Sequence, residues 1–226
     1  MIKELNLWAQ NSLRSLELQI LHPKNVRERK RKLKNAKRKI LIDCGSNLGR
    51  VLEDFVNKRH GYIFYAFEPQ PELSETLDAL INKYKNTSIT LLKKAVWIKN
   101  ETLKFYLATK WGSGYKDGST LISNHTNNSS AVDYNHPIEV EAIDFNEWFL
   151  NTVMPEADDY IVIKMDIEGA EYDVLEKMLA NDSFKYVSEL MVEFHNKMNE
   201  SISNERHLKL LNSLKANKSL KLTIWK

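Results

Sequence analysis

Side chains that can do chemistry recur at the ends of short apolar runs in this chain. Ile40-Leu41-Ile42 stops at Asp43, and Tyr62 to Phe67 stops at Glu68-Pro69. Tyr160 to Met165 leads into Asp166-Ile167-Glu168-Gly169, and a run from Tyr186 ends at Glu193-Phe194-His195-Asn196. If these runs are parallel strands, their polar ends converge on one crevice. Carboxylates gathered there repel one another unless each has a partner, which a ribose, a metal ion or a proton-donating substrate can supply. Asp166, Glu168, Glu193 and His195 offer hard oxygen ligands plus one imidazole, a set that suits Mg or Mn better than Zn. In the metal-free reading, Asp166 contacts a cofactor amine and His195 hydrogen-bonds within the crevice. Lys164 and Asp166 are two apart and share a face of an extended strand, so Lys164 is expected to pair with a carboxylate rather than act as a base.

Gly45 and Gly49 follow Asp43, and Leu48, Val51, Leu52, Phe55 and Val56 then repeat at helical spacing. Strand, glycine turn and helix open a doubly wound α/β domain, with glycines admitting a ligand close to the backbone. Glu68 lies about 20 positions further on, where an acid can accept hydrogen bonds from ribose hydroxyls. The turn lacks G-x-G-x-x-G, so no good pyrophosphate cradle forms. A ligand with a ribose but no phosphate, such as S-adenosylmethionine, fits better than NAD.

The elements that must position these groups alternate strand and helix. That predicts a mostly parallel sheet with helices on both faces. Leu73, Leu77, Leu80, Ile81 and Tyr84 mark a helix after Pro71. Ser88 to Trp97 reads as a third strand that runs into a loop at Lys94-Ala95-Val96. Thr102 to Ala108 and Ile138 to Ile143 read as an added pair near the sheet edge. Phe145 to Leu150 is a short helix. Ala170, Val174 and Met178 stripe one later helix, and Leu208, Leu211 and Leu214 another. Ser219 to Trp225 is the last strand. The glycine- and serine-rich stretch Trp111 to Ser130 is read as a loop on the substrate side, with Ser119 and Thr120 nearest the site.

At 226 residues the chain suffices for one α/β domain, expected over 40–226. Residues 1–39 stand apart as an amphipathic helix, Met1 to Leu21, and a basic segment. Residues 24–39 carry ten Lys and Arg against one Glu, whereas 40–226 carry 21 against 27 acids. Such a run can bind nucleic acid or an anionic membrane, but the segment is read as a linker or solvated helix. Nucleic acid is disfavoured as its partner, because no aromatic residues interleave the charges. A basic linker also suits a chain that is part of a larger, multidomain protein. No apolar run approaches the roughly 18 residues of a membrane span. The single cysteine, Cys44, suits a reducing compartment, so a cytoplasmic location is expected.

The residues quoted above resemble the FkbM family of S-adenosylmethionine-dependent methyltransferases. The resemblance rests on I-D-C-G-S-N-L-G (42–49), F-E-P (67–69), K-A-V (94–96), S-T-L (119–121), I-K-M-D-I-E-G-A-E (163–171) and E-F-H (193–195). It covers residues 40 to about 200, judged by the strand–turn–helix context such motifs require. It implies a Rossmann-like class I methyltransferase fold of seven strands and O-methylation, often of a sugar hydroxyl in a glycan or glycosylated metabolite. By resemblance, Asp43, Gly45, Ser46, Asn47, Gly49, Glu68 and Pro69 hold the cofactor. Ala95 and Val96 lie near adenine, and Asp166 lies near the transferred methyl. The catalytic group is then Asp166, His195, Glu168 and Lys164. Asp166 or His195 is the base, while Glu168 and Glu193 orient the acceptor or bind a metal. Only one strand follows the last helix, so the family's terminal hairpin is expected to be shortened or supplied differently.

Two other readings compete. A nucleic-acid methyltransferase would use the 24–39 arm, but the acidic body opposes it. A non-catalytic partner-binding module of the same fold would have no need of the acidic cluster.

Overall fold

A computed structural model describes residues 23–109, 118–123, 132–196 and 201–225. The expected helix over Met1–Leu21 and most of the Trp111–Ser130 stretch lie outside the described residues. The basic segment forms helix α1 (Pro23–Asn35). Six strands then build the main sheet: β1 (Lys39–Cys44), β2 (Ile63–Phe67), β3 (Ile89–Leu92), β7 (Tyr160–Met165), β8 (Val187–Glu193) and β9 (Lys221–Trp225). Their order is β3-β2-β1-β7-β8-β9, and every pairing in it is parallel. The chain leaves β1 toward one edge and returns to its other side at β7, so the strand order reverses there and opens a crevice. Among the described residues this sheet has six strands and no antiparallel hairpin, in line with the shortened end read from the sequence.

Strand alternation explains how one sheet feeds two cores. Ile40, Ile42 and Cys44 of β1, with Ile161, Ile163 and Met165 of β7, face the larger core. Helices α4 (Phe145–Trp148), α5 (Glu171–Ala180) and α6 (Asn204–Ala216) cover that side. Leu41 and Val162 point to the opposite core, closed by α2 (Arg50–Lys58) and by Leu80 of α3 (Ser74–Lys83). Asp43 and Lys164 follow on this second face, opposite each other in the β1–β7 register. The alternation that buries Leu41 and Val162 thus delivers an acid and a base side by side.

Three expectations need correction. Residues 88–97 are not one strand. β3 ends at Leu92, and Ala95–Trp97 form β4, which leaves the main sheet to pair with β6 (Val132–Asp144). The break falls at Lys93 and Lys94, whose ammonium groups pair at 2.8 Å with Asp78 and Glu141. The expected added pair, β5 (Glu101–Ala108) and β6, therefore joins β4 in a separate three-stranded sheet rather than extending the main one. Leu208 is not on the buried face of α6. It is 55% exposed, and Leu210 and Leu214, one helical turn apart, are the residues buried. Helix α4 also runs directly into a π-helical turn, Phe149–Val153.

Candidate active site

The glycine turn is built by backbone bonds between strand ends. Gly45 N and Ser46 N donate to Phe67 O of β2 at 3.1 and 2.9 Å, and Asp166 N donates to Cys44 O at 3.1 Å. Gly45 holds φ +82°, and a Cβ there would stand 1.9 Å from Asp166 O. Its first task is thus to let the tips of β1 and β7 meet. Gly49 (φ +76°) has the side chains of Leu77 and Leu80 where a Cβ would go.

Glu68 closes this turn. Its two oxygens accept from Asn47 N at 2.8 Å and Gln70 N at 3.0 Å. Burial pushes its carboxyl up to about 7, against the pull of those two N–H groups. The folded chain therefore keeps the Glu68 proton to higher pH than the unfolded chain, whose carboxyl releases it near 4.5. Stability from this group is present below pH 4.5 and falls as pH rises toward 7. Glu68→Gln should flatten that slope, read as urea midpoints at about pH 5 and about pH 8. Pro69 follows, half-buried.

Lys164 sits beneath the turn, almost fully buried. Its ammonium donates to Gly45 O at 2.7 Å and lies 3.2 Å from Asp43 Oδ1 and 3.6 Å from Asp166 Oδ2. Burial alone would lower its pKa, but Asp43 and Asp166 outweigh that and hold it well above the usual lysine range. Lys164 is therefore a fixed cation that braces the turn, not a base. Both oxygens of the fully buried Asp43 lack a hydrogen-bond partner of good geometry among the described residues. The Lys164 ammonium, 3.2 Å from Oδ1, is the charge that balances this carboxylate. Ser46, also buried, donates from Oγ to Asp43 O at 3.3 Å.

The second half of the site is assembled around His195. Its Nδ1 contacts Glu171 Oε1 at 2.8 Å. Its Nε2 faces Glu168 Oε2 at 3.3 Å, Asp166 Oδ1 at 3.9 Å and Glu193 Oε1 at 4.0 Å. Burial would lower the ring's pKa. The Glu171 bond and the charges of Glu171, Glu168 and Asp166 overturn that and raise it to about 10. Burial and the neighbouring acids push Glu168 up to about 8, against the opposing pull of His195. Ligand atoms of Asp166, Glu168 and His195 lie within 4.8 Å of one another, a spacing that can hold a divalent cation. Glu193 stands at the edge of that group. Asp166 links the two halves, with one oxygen toward Lys164 and the other toward His195.

Glu171 is the residue that reading the sequence for site chemistry missed. It is fully buried at the start of α5 and accepts from Ile167 N and Gly169 N as well as facing His195. Its signal was present, since an acid on the first helical turn can collect the free N–H groups of that end. It fixes both the 166–170 turn and the orientation of the His195 ring.

The S-T-L residues support the same turn. Thr120 is fully buried and donates from Oγ1 to Glu168 O at 2.6 Å, while accepting from Ile122 N at 3.0 Å. Glu168 holds φ +53°, a left-handed conformation that costs a non-glycine residue about 1 kcal/mol or more. Thr120→Val should cost about 1–2 kcal/mol, read by urea unfolding, because it leaves a half-buried carbonyl and a half-buried N–H without their partner. Ser119 Oγ accepts from Ala108 N at 2.9 Å and donates to Gln70 Oε1 at 3.2 Å, tying the second sheet to the Glu68 loop. Ala95 and Val96 are buried in β4.

Residues 43–218 match the family model of the Methyltransferase FkbM domain. No curated protein and no solved structure matches the chain. The matched span takes in every strand tip of the crevice and more than three-quarters of the chain. The chain belongs to the FkbM methyltransferase family.

Proposed function

We propose that this methyltransferase uses S-adenosylmethionine to methylate a hydroxyl of a sugar, in a glycan or a glycosylated metabolite, in the cytoplasm. The observation that carries the reading is the pairing of two unlike half-sites across Asp166: a glycine turn with buried acceptors, and a histidine ringed by carboxylates. The first half fits the cofactor. Asp43, fully buried beside Lys164, supports the turn from beneath, and Glu68 retains free lone pairs for ribose hydroxyls beside its two N–H bonds. Gly45, Ser46, Asn47, Gly49 and Pro69 shape that half, and Ala95 and Val96 lie on the adenine side in this reading.

When bound, S-adenosylmethionine supplies a methyl group activated on a sulfonium. The chain's residues do the rest. A sugar hydroxyl is a poor nucleophile at neutral pH and must lose its proton to a positioned base. His195 is a cation there, so the acceptor of that proton is one of the carboxylates at its Nε2. Glu168, closest to Nε2, is better placed for this than Asp166, which lies between two cations. His195 draws these acids together, and Glu171 holds His195. Glu193 orients the acceptor. Asp166, Glu168 and His195 can instead take Mg or Mn, whose charge would acidify the hydroxyl.

Calorimetric titration with S-adenosylmethionine and S-adenosylhomocysteine, with and without Mg or Mn and with NAD as control, tests the cofactor. Micromolar binding of the first two, abolished by Glu68→Ala, is expected. Failure of both to bind a folded chain would overturn the reading. Methyl transfer to a panel of free sugars and glycosides then tests the acceptor.

A further inference from the structure

The basic segment plays no part in the crevice. Helix α1 leads directly into the start of β1, and the turn at 218–219 leads into the start of β9, so both lie at the sheet edge opposite the strand tips. Between them is a cleft of about 470 Å³ lined by Arg29, Arg31, Lys32 and Lys218, together with Glu28 and Asn35. Cations from two elements almost 190 positions apart thus face one space. Among the described residues, no carboxylate lies within salt-bridge distance of Arg29, Arg31 or Lys32. Glu28 is the only acid lining the cleft. Arg27, Lys30 and Lys34 of the same helix are exposed around it.

The cleft is also held in place. Lys37 pairs with Glu156 at 2.7 Å, and Lys37 N donates to Asp158 O at 3.1 Å. Arg38 forks onto Asp159 and reaches Val153 O and Met154 O at 3.2 and 2.8 Å. Leu33 and Ala36 pack against the second core. A solvated linker would not be fastened in this way. Burial also pulls the Lys32 ammonium below its usual range, although Asp159 and Asp158 oppose this.

We propose that α1 and the 218–219 turn form a docking surface for an anionic phospholipid bilayer, with the cleft receiving a phosphate-bearing head group. Charge complementarity selects the partner, since polybasic helices are drawn to anionic leaflets and each cation adds about fivefold in binding. The cleft is the size of one small head group, and none of its lining residues is aromatic. Single-stranded nucleic acid would call for stacking platforms there. Docked this way, the acidic crevice faces away from the bilayer and stays open to its acceptor.

Co-sedimentation of the full chain with vesicles tests this. The chain should pellet with vesicles of equal parts phosphatidylglycerol and phosphatidylcholine, lose binding as salt rises, and ignore phosphatidylcholine alone. Arg29→Glu with Arg31→Glu should cut binding at least tenfold. Lys85→Glu with Lys104→Glu, exposed residues elsewhere carrying the same charge change, should keep it within twofold. If the reversal perturbs α1, the neutralising pair Arg31→Gln with Lys218→Gln should still rank below its control. No binding to anionic vesicles, or equal loss in both reversal pairs, overturns the proposal. So does tighter binding to a short RNA duplex that is lost on the same reversal, which would assign the surface to nucleic acid.

Discussion

A chain carrying Gly45→Ala should lose about 3 kcal/mol or more of stability and its cofactor binding with it. The added Cβ meets Asp166 O at 1.9 Å, and neither side can retreat. Asp166 N is bonded to Cys44 O, Gly45 N to Phe67 O, and Lys164 grips Gly45 O. A left-handed conformation for alanine adds about 1–2 kcal/mol, and forcing backbone apart in a packed site adds about 1–3 kcal/mol. In a chain of this size the melting temperature should fall by about 10 °C. Gly61→Ala separates the two contributions. It has φ +73° with nothing within 4 Å of the built Cβ, so it carries the conformational cost alone and should lose only about 1 kcal/mol. Equal losses at the two glycines would show that the β1–β7 approach is not tight.

Loss of the proton-handling group should be as damaging to turnover as Gly45→Ala is to stability. Glu168→Gln and His195→Ala should each lower kcat by about 10²–10⁴ with little change in cofactor affinity. Asp166→Asn should lower kcat less than Glu168→Gln if Glu168 is the base. Full turnover in Glu168→Gln would remove it from that role and move the weight to Asp166 or to a metal. Glu171→Gln keeps the shape of the side chain but removes the charge on Nδ1 of His195. It should reduce kcat by about tenfold while KM for the acceptor stays put, as expected of a residue that acts through another. A Glu171→Gln chain that instead lost cofactor binding would mean that the residue matters only for the 166–170 turn.

Much of the fold was legible because it is written in short-range patterns. Apolar runs at 40–42, 63–67 and 160–163 become mostly buried strands because their side chains are largely apolar, and polar residues begin toward their ends. Alternation with helices then leaves few topologies open. Strand periodicity put Lys164 and Asp166 on one face, but the nearer carboxylate, Asp43 of the neighbouring strand, needed the β1–β7 register. The change of sheet at Lys93-Lys94 was not legible. A strand's sequence shows that it pairs and which face is apolar, but not which neighbour it joins.

The sequence by itself determined the fold class, the crevice and most of the polar groups that line it: Asp43, Glu68, Asp166, Glu168, Glu193 and His195. Each is local information, an acid or a histidine at the end of a run of fixed period. Tertiary structure alone decided what each group does there. Glu171 became the partner of His195 because α5 begins where β8 ends in space, 24 residues away along the chain. Thr120 became the support of Glu168 across 48 positions. Gly45 has no room for a side chain because of a carbonyl 121 residues later. Hydrogen bonds and steric limits act over a few ångströms, and only folding brings such distant residues within that range.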